Sequence, residues 1–389
     1  MLSNQLIFIV FFGLPYINLA QSLNIKTGIN TIEYSTADFE NFKITMESLK
    51  MGSIQKVRIL HIGDSHIQPD NLTGTTRKYF QEEYGNGGRG LVFPYSLAKT
   101  NGPKDYTAAS TSTWINSWII NYPHKFKIGL PGIGIQSTPL SGNLQINLVK
   151  DSLKNPYTKG FVLYSQQPGN NGSITINNKF TKNNLGLPFD TLNFSSSSEQ
   201  TLLSLNFKES PIIFHCAYFE NNLPGVIYNS AGVAGARYKD FLNNDFFSEQ
   251  LNYFQPDLLI ISLGTNESFD PNYSEVEFQK VLDSMFTSIK NKLPETAVLI
   301  TCPSENYRYR NGVLSRNLNI PSVTKVLRLN AQKYGFAIWD MSIVMGGEGS
   351  MLDWKKAGLV NKDHIHFLRK GYNLQGQLLF EAINEFVLK

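Results

Sequence analysis

Six histidines are spread along 389 residues, and only His366 has a carboxylate three positions earlier, in Asp363-His364-Ile365-His366 just ahead of a helical pattern. Histidine titrates near neutrality and can take a proton from a hydroxyl. A carboxylate beside it fixes the imidazole tautomer and stabilises the imidazolium. The matching nucleophile is Ser65 in Gly63-Asp64-Ser65-His66, which follows the apolar run Ile59-Leu60-His61-Ile62 and precedes an amphipathic pattern from Leu72 to Glu83. A serine at the C-terminal end of a buried strand, beside a helix start, sits where open α/β sheets place their chemistry. Attack by such a serine on an acyl carbon builds negative charge on oxygen, which needs fixed hydrogen-bond donors. Two further short blocks follow apolar runs, Gly232-Val233-Ala234-Gly235-Ala236 and Gly264-Thr265-Asn266-Glu267. Asp363, His364 and His366 lack the further ligand cluster that would close a metal site. No cofactor is implied.

The elements that must position these blocks alternate in period. Ser35 to Lys50 and Leu72 to Glu83 read as amphipathic helices around a strand at 56–62. From Gly225 onward the pattern is strand (GVIYNSAGV), helix through Phe241, strand (DLLIISLG), helix Glu275 to Lys292, strand (AVLITCP), helix Ser315 to Lys333, strand (FAIWD) and helix Arg369 to Val387. Alternating apolar strands and helices predict a mainly parallel sheet covered on both faces. Between Lys104 and Pro224 the texture changes to short alternating runs separated by Asn, Gly and Pro, with LQINLV, FVLYS, SITIN, TLLSLNF and PIIFHCAYF as strands. That spacing predicts a β-sandwich at 104–224 inserted into an α/β domain made of 21–103 and 225–389. Gly85 to Gly90 (GNGGRG) follows a helix instead of a strand, so it reads as a loop passing close to the site and not as a phosphate cradle.

A composition of 41% hydrophobic and 17% charged residues excludes a disordered or fibrous chain. The net charge of +4 is mild and its basic residues are scattered, which excludes a nucleic-acid footprint. The apolar run from Leu6 to Ile17, ending near Ala20, is too short for a stable membrane span and reads as a signal peptide at 1–20, hence export to the periplasm or beyond. Cys216 and Cys302 lie in separate apolar runs, as one disulfide or as two buried thiols. Trp114, Trp118 and Tyr122 are either a sugar-stacking surface or core. Trp339 and Trp354 read as core or site wall, and His61 and His215 as buried, satisfied side chains.

The four blocks, in this order and at strand ends, resemble the SGNH (GDSL-like) hydrolase superfamily, whose blocks supply Ser, Gly, Asn and His. The first block has His66 where the family name has Leu, and the third has Glu267 where Asp is commoner. Both variants, with GNGGRGLVFP and DHIHFLRKGYNLQG, resemble the peptidoglycan O-acetylesterase branch, which carries a carbohydrate-binding-like β-sandwich after the first block. The resemblance implies a three-layer SGNH-hydrolase-like α/β fold with a jelly-roll-like insert. It further implies a Ser65-His366-Asp363 triad, and an oxyanion hole made by the N–H groups of Ser65 and Gly235 and the amide of Asn266. Gly232 also fits the turn. His66 and Glu267 are candidate substrate contacts, His66 equally a brace for its neighbours, and Asp64 a brace for the turn. The implied substrate is an O-acetylated polysaccharide, most simply peptidoglycan. Other readings remain an esterase or acetyltransferase on another polysaccharide such as acetylated xylan, a lipid esterase, and a non-catalytic glycan-binding protein.

Overall fold

The computed structural model describes residues 28–33, 37–150, 153–166, 172–177 and 188–389. The predicted signal peptide lies outside them. Five strands form a parallel sheet: β1 (Lys56–Gly63), β2 (Gly225–Gly232), β3 (Leu258–Ser262), β4 (Ala297–Cys302) and β5 (Ala337–Asp340), in the spatial order β2-β1-β3-β4-β5. Successive side chains of a strand point to opposite faces, and here both faces are buried. Val57, Ile59, Tyr228, Ile260 and Leu299 pack under helices α1 (Ala37–Lys50), α2 (Asn71–Tyr84) and α6 (Arg369–Leu388). Leu60, Ile62, Ile227, Ile261 and Ile300 face α4 (Glu275–Lys292) and α5 (Ile320–Tyr334) on the other side. A short helix, α3 (Thr265–Ser268), follows β3 directly. The order reverses at β1, whose neighbours are β2 and β3. The mouth of an open α/β sheet lies outside the strand C-termini at such a switch point.

Helix α5 begins at Ile320, later than the predicted Ser315, because Val313–Arg316 is instead a strand paired antiparallel with Tyr307–Arg310. Pro321 stands in the first turn of α5, where its missing N–H costs nothing.

Among the described residues the stretch between α2 and β2 builds a two-stranded antiparallel sheet, Val149–Lys150 with Leu153–Lys154, and two large ones. One has the order Ser173–Ile176, Leu202–Lys208, Gly142–Asn147, Thr107–Ala109; the other runs Asp190–Gln200, Tyr157–Ser165, Ile213–Glu220, Ile133–Ser137, Trp114–Trp118. Their apolar residues, among them Ile135, Ile146, Phe207 and Phe214, belong to the same buried cluster as Leu60 and Ile261 of the parallel sheet. Gly90–Val92, ahead of the expected boundary at 104, also pairs with Ile213–Glu220. Here the glycine-rich loop shows its use. A Cβ on Gly88 would lie 2.6 Å from the Phe219 carbonyl oxygen, and one on Gly90 would lie 2.3 Å from Asn229 Oδ1. The close approach is therefore to these strands, where the predicted one was to the site. Cys216 and Cys302 are separate buried thiols, and burial pushes both pKa values up.

Candidate active site

β1 ends at Gly63 and the chain turns at once, with the Asp64 carbonyl accepting from the N–H groups of Ile67 (3.1 Å) and Gln68 (3.0 Å). This turn lifts Ser65 off the sheet edge. The turn is held from behind by a buried ion network. Asp70 Oδ1 accepts from Arg77 (2.7 Å) and Ser230 (2.8 Å), Asp70 Oδ2 lies 3.2 Å from Arg89, and Arg89 pairs in turn with Asp105. Removing one partner from such a network costs about 3–5 kcal/mol, because it leaves an uncompensated buried charge.

The loop 361–366 brings His366 to Ser65. Asp363 uses its two oxygens differently: Oδ1 accepts from the N–H groups of Ile365 (2.9 Å) and His366 (3.0 Å), while Oδ2 lies 2.8 Å from His366 Nδ1. One carboxylate thus shapes the loop backbone and orients the ring, which is the physical sense of the three-residue spacing. His364, between them, takes the left-handed φ of 57°, a conformation uncommon for a residue with a Cβ. His366 Nε2 lies 2.8 Å from Ser65 Oγ. With the Nδ1 proton engaged by Asp363, Nε2 presents its lone pair to the serine hydroxyl. Partial burial raises the Asp363 pKa, but the bonds from the His366 ring and the two N–H groups outweigh it and hold the carboxyl below its usual range.

Gly232 and Gly235, both compatible with a turn in the sequence, separate by geometry. A Cβ on Gly232 would lie 2.2 Å from the backbone nitrogen of Gln68, so that glycine allows β2 to abut the Ser65 turn. Gly235 has φ 84° in a turn closed by the Ala236 N–H to Val233 carbonyl bond of 3.0 Å, and its open side meets only Ile120, at 3.7 Å. Among the described residues, neither the Ser65 nor the Gly235 N–H is engaged by a protein acceptor. The Asn266 amide, one residue into α3, donates to the Ala236 carbonyl at 3.0 Å and approaches Asp64 Oδ2 at 3.4 Å.

Asp64 is 1% exposed and accepts from the His66 N–H at 2.9 Å; burial lifts its pKa to about 7. It braces the turn, as its position suggested. The His66 ring lies 5.2 Å from the His366 ring and is hydrogen-bonded through Nδ1 to the Tyr372 hydroxyl at 3.0 Å. Burial, aided by the nearby His366, pushes the His66 pKa down to about 3, so its imidazole is neutral and a poor base. Glu267, the other expected substrate contact, is 7% exposed and points inward: Oε1 accepts from the Tyr238 N–H at 2.7 Å and Oε2 is buried without a partner. It thereby holds the start of the helical turn at Tyr238–Leu242 and, being buried, is not placed as a substrate contact. His61 is buried between Tyr228 (2.7 Å) and Ser262 (2.5 Å), and His215 bonds Ser165 at 2.8 Å. Trp114 is core, packed on Phe207, and Trp339 and Trp354 are core as well, whereas Tyr122 is 81% exposed.

Gln68 was not legible beforehand. Its Oε1 accepts from the Ala234 N–H at 2.7 Å and its amide donates to Thr100 (2.9 Å) and the Asn101 carbonyl (2.8 Å), tying the Ser65 turn to the Gly235 turn and to the loop after Gly90–Val92. No local pattern signals a glutamine whose partners lie so far along the chain.

The family model described as GDSL-like lipase/acylhydrolase matches residues 171–379, more than half of the chain. The chain belongs to that family. As a GDSL-like acylhydrolase it is a carboxylic ester hydrolase. A solved peptidoglycan O-acetylesterase is 23% identical and superposes with a TM-score of 0.79 over 92% of this chain and 99% of its own. A GDSL-like lipase from Bacteroides thetaiotaomicron (18% identity, TM-score 0.30, 41% of this chain and 76% of its own) and an acetyl xylan esterase (15%, 0.32, 40% and 80%) match a smaller part. No curated protein matches the chain. Among the described residues no helix is long and apolar enough to cross a membrane.

Proposed function

We propose that this GDSL-like hydrolase is a serine acetylesterase that removes O-acetyl groups from peptidoglycan. The observation that carries the mechanism is the relay Ser65 Oγ, His366 Nε2, His366 Nδ1, Asp363 Oδ2, with 2.8 Å at both hydrogen bonds. His366 takes the serine proton as Oγ attacks the acetyl carbonyl, and Asp363 stabilises the imidazolium without accepting its proton. The N–H groups of Ser65 and Gly235 and the Asn266 amide receive the oxyanion. Collapse breaks the bond to the sugar oxygen, which leaves with the proton from His366. Water, deprotonated by the same imidazole, then attacks the acetyl-serine carbonyl, and acetate leaves as Ser65 Oγ takes the proton back from His366.

The acetylated-glycan substrate is supported by the fold shared with a peptidoglycan O-acetylesterase over nearly its whole length, together with the variant blocks Gly63 to His66 and Gly264 to Glu267. The β-rich segment is proposed as a glycan-facing wall: Ile120 meets the Gly235 turn, and Tyr122 beside it offers an exposed aromatic face. Export, proposed from residues 1–20, places the enzyme where such a substrate lies. The test is acetate release from purified O-acetylated peptidoglycan by wild type and Ser65→Ala. Release by wild type and none by the variant is expected; a fully active Ser65→Ala protein sinks the mechanism, and preference for acetylated xylan sinks the substrate.

A further inference from the structure

A cleft of about 1310 Å³ lies between α2, α6 and residues Lys104, Asp105 and Asn155 of the β-rich segment. It exceeds the roughly 300–1,000 Å³ of a small-molecule pocket, which suits a polymer. α2 starts at Asn71 and α6 at Arg369, just beyond Ser65 and His366, so the cleft runs away from the reacting atoms along the two helices that those turns initiate. Its charge is one-sided once internal pairs are removed. Asp70 and Asp105 in its wall are matched by the buried Arg77 and Arg89, and Glu82 lies 3.7 Å from Lys78. Lys104, Arg369 and Lys370 remain, all exposed and without an ion-pair partner among the described residues. Asn71, Asn155 and Asn373 add amides, each of which can both give and take a hydrogen bond, as sugar hydroxyls require.

We propose that this cleft is a subsite for a carboxylate-bearing glycan strand, holding the polymer by Lys104, Arg369 and Lys370 while an acetyl ester reaches Ser65. Three cations, two at the start of α6 and Lys104 across the cleft from them, interleaved with neutral amides, match a strand with intermittent carboxylates; a phosphate backbone demands a denser basic track. The inference rests on the reading of the enzyme as a peptidoglycan acetylesterase. It also gives the β-rich segment a stated contribution, since Lys104 and Asn155 come from it.

The test compares wild type, Lys104→Glu and Arg369→Glu/Lys370→Glu on O-acetylated peptidoglycan, acetylated xylan and 4-nitrophenyl acetate. Alongside, Ser65→Ala protein with and without these changes is pelleted with de-O-acetylated peptidoglycan. Charge reversal is expected to raise KM on peptidoglycan roughly five- to tenfold, the size of a few exposed charge contacts, with kcat kept, and to weaken pelleting equally. Turnover of the small ester and of neutral xylan stays within about twofold on the same scale. Unchanged KM and pelleting in both variants overturn the subsite, and an equal KM rise on xylan overturns the carboxylate assignment. If the double variant loses small-ester turnover too, Lys104→Glu decides by the same criteria. Charge-dependent pelleting without acetate release from peptidoglycan by wild type fails the reaction and leaves the subsite standing; acetate release indifferent to charge does the reverse.

Discussion

Asp363→Asn isolates one oxygen of a two-oxygen device. Asparagine keeps an acceptor where Oδ1 holds the N–H groups of Ile365 and His366 at 2.9 and 3.0 Å, so the loop retains its shape. In place of Oδ2 it sets an amide N–H 2.8 Å from His366 Nδ1. Two donors cannot face each other, so the imidazole proton moves to Nε2, and Ser65 then faces a donor where it needs a base. The expected loss is roughly 10⁴ in kcat, about 5 kcal/mol of transition-state stabilisation, with KM little changed. Asp363→Ala loses the same proton acceptor and both loop bonds, which adds about 1–2 kcal/mol of instability for a half-exposed pair. The assay is steady-state hydrolysis of 4-nitrophenyl acetate, with thermal melts of all three proteins. The folded-state pKa of Asp363 is depressed, so its ionised form persists above the unfolded value near 3.8 and is lost only as pH falls through the lower folded value. Wild-type activity above about pH 4 should therefore show no loss from this group. An asparagine variant keeping more than a tenth of wild-type kcat, or one as unstable as the alanine variant, refutes the division of labour.

Asn266→Ala is expected to lower kcat by roughly 10²–10³ with KM nearly unchanged if the amide receives the oxyanion; a loss confined to Tm would make it only a brace for Ala236 and Asp64. Gln68→Leu should reduce kcat by roughly 10–100-fold through misplacement of the Gly235 turn, read as kcat on the small ester, and wild-type turnover would show that the two turns are independent. Glu267→Gln tests a buried carboxyl. Burial lifts its pKa from 4.5 to about 7, with the nearby Asp64 adding to the rise. Its folded form therefore holds the proton more tightly than the unfolded chain, and stability is lost as pH rises from about 4.5 to 7, by on the order of 3 kcal/mol. The glutamine variant should gain stability over wild type between pH 5 and pH 8 in denaturant melts, and a difference that does not change with pH would contradict the placement.

The juxtaposition that the sequence makes legible is one carried by neighbours in the chain. Asp363 and His366 meet because a single loop folds on itself, and Ser65 and Asn266 stand where apolar strands stop, so local patterning locates them. The failures share the opposite character. Glu267 adjoins Asn266 in sequence, yet one step along a short helix turns it from the mouth to the interior, and nothing local tells the two directions apart. Gln68 and Tyr372 act on the site through partners that only the packed fold supplies. Asp190–Gln200 escaped because it is an edge strand rich in serine, bonded on one side to Tyr157–Ser165, and an edge strand need not show an apolar face. The start of α5 is the exception, because its signal is local: Asn311-Gly312 is a two-residue hairpin turn that pairs Tyr307–Arg310 with Val313–Arg316 and delays the helix to Ile320.

The long β-rich interruption between Ser65 and the other three blocks is also explained by the sheet order. β1 and β2 are adjacent and in register from the Lys56–Gly225 pair to the Gly63–Gly232 pair, so the chain leaves α2 and returns beside the strand it left. Closing a longer loop between two adjacent points costs only logarithmically more entropy, and here that loop recovers stabilisation by sharing one apolar cluster with the parallel sheet. The interruption also carries Ile120 to the Gly235 turn and Lys104 to the cleft beside α2. A segment sharing one core with the parallel sheet fits the proposed role of a wall better than that of a tethered module. Deleting it should therefore unfold the sheet edge at β2 as well as change substrate choice, whereas a tethered independent module would leave turnover of a small ester intact.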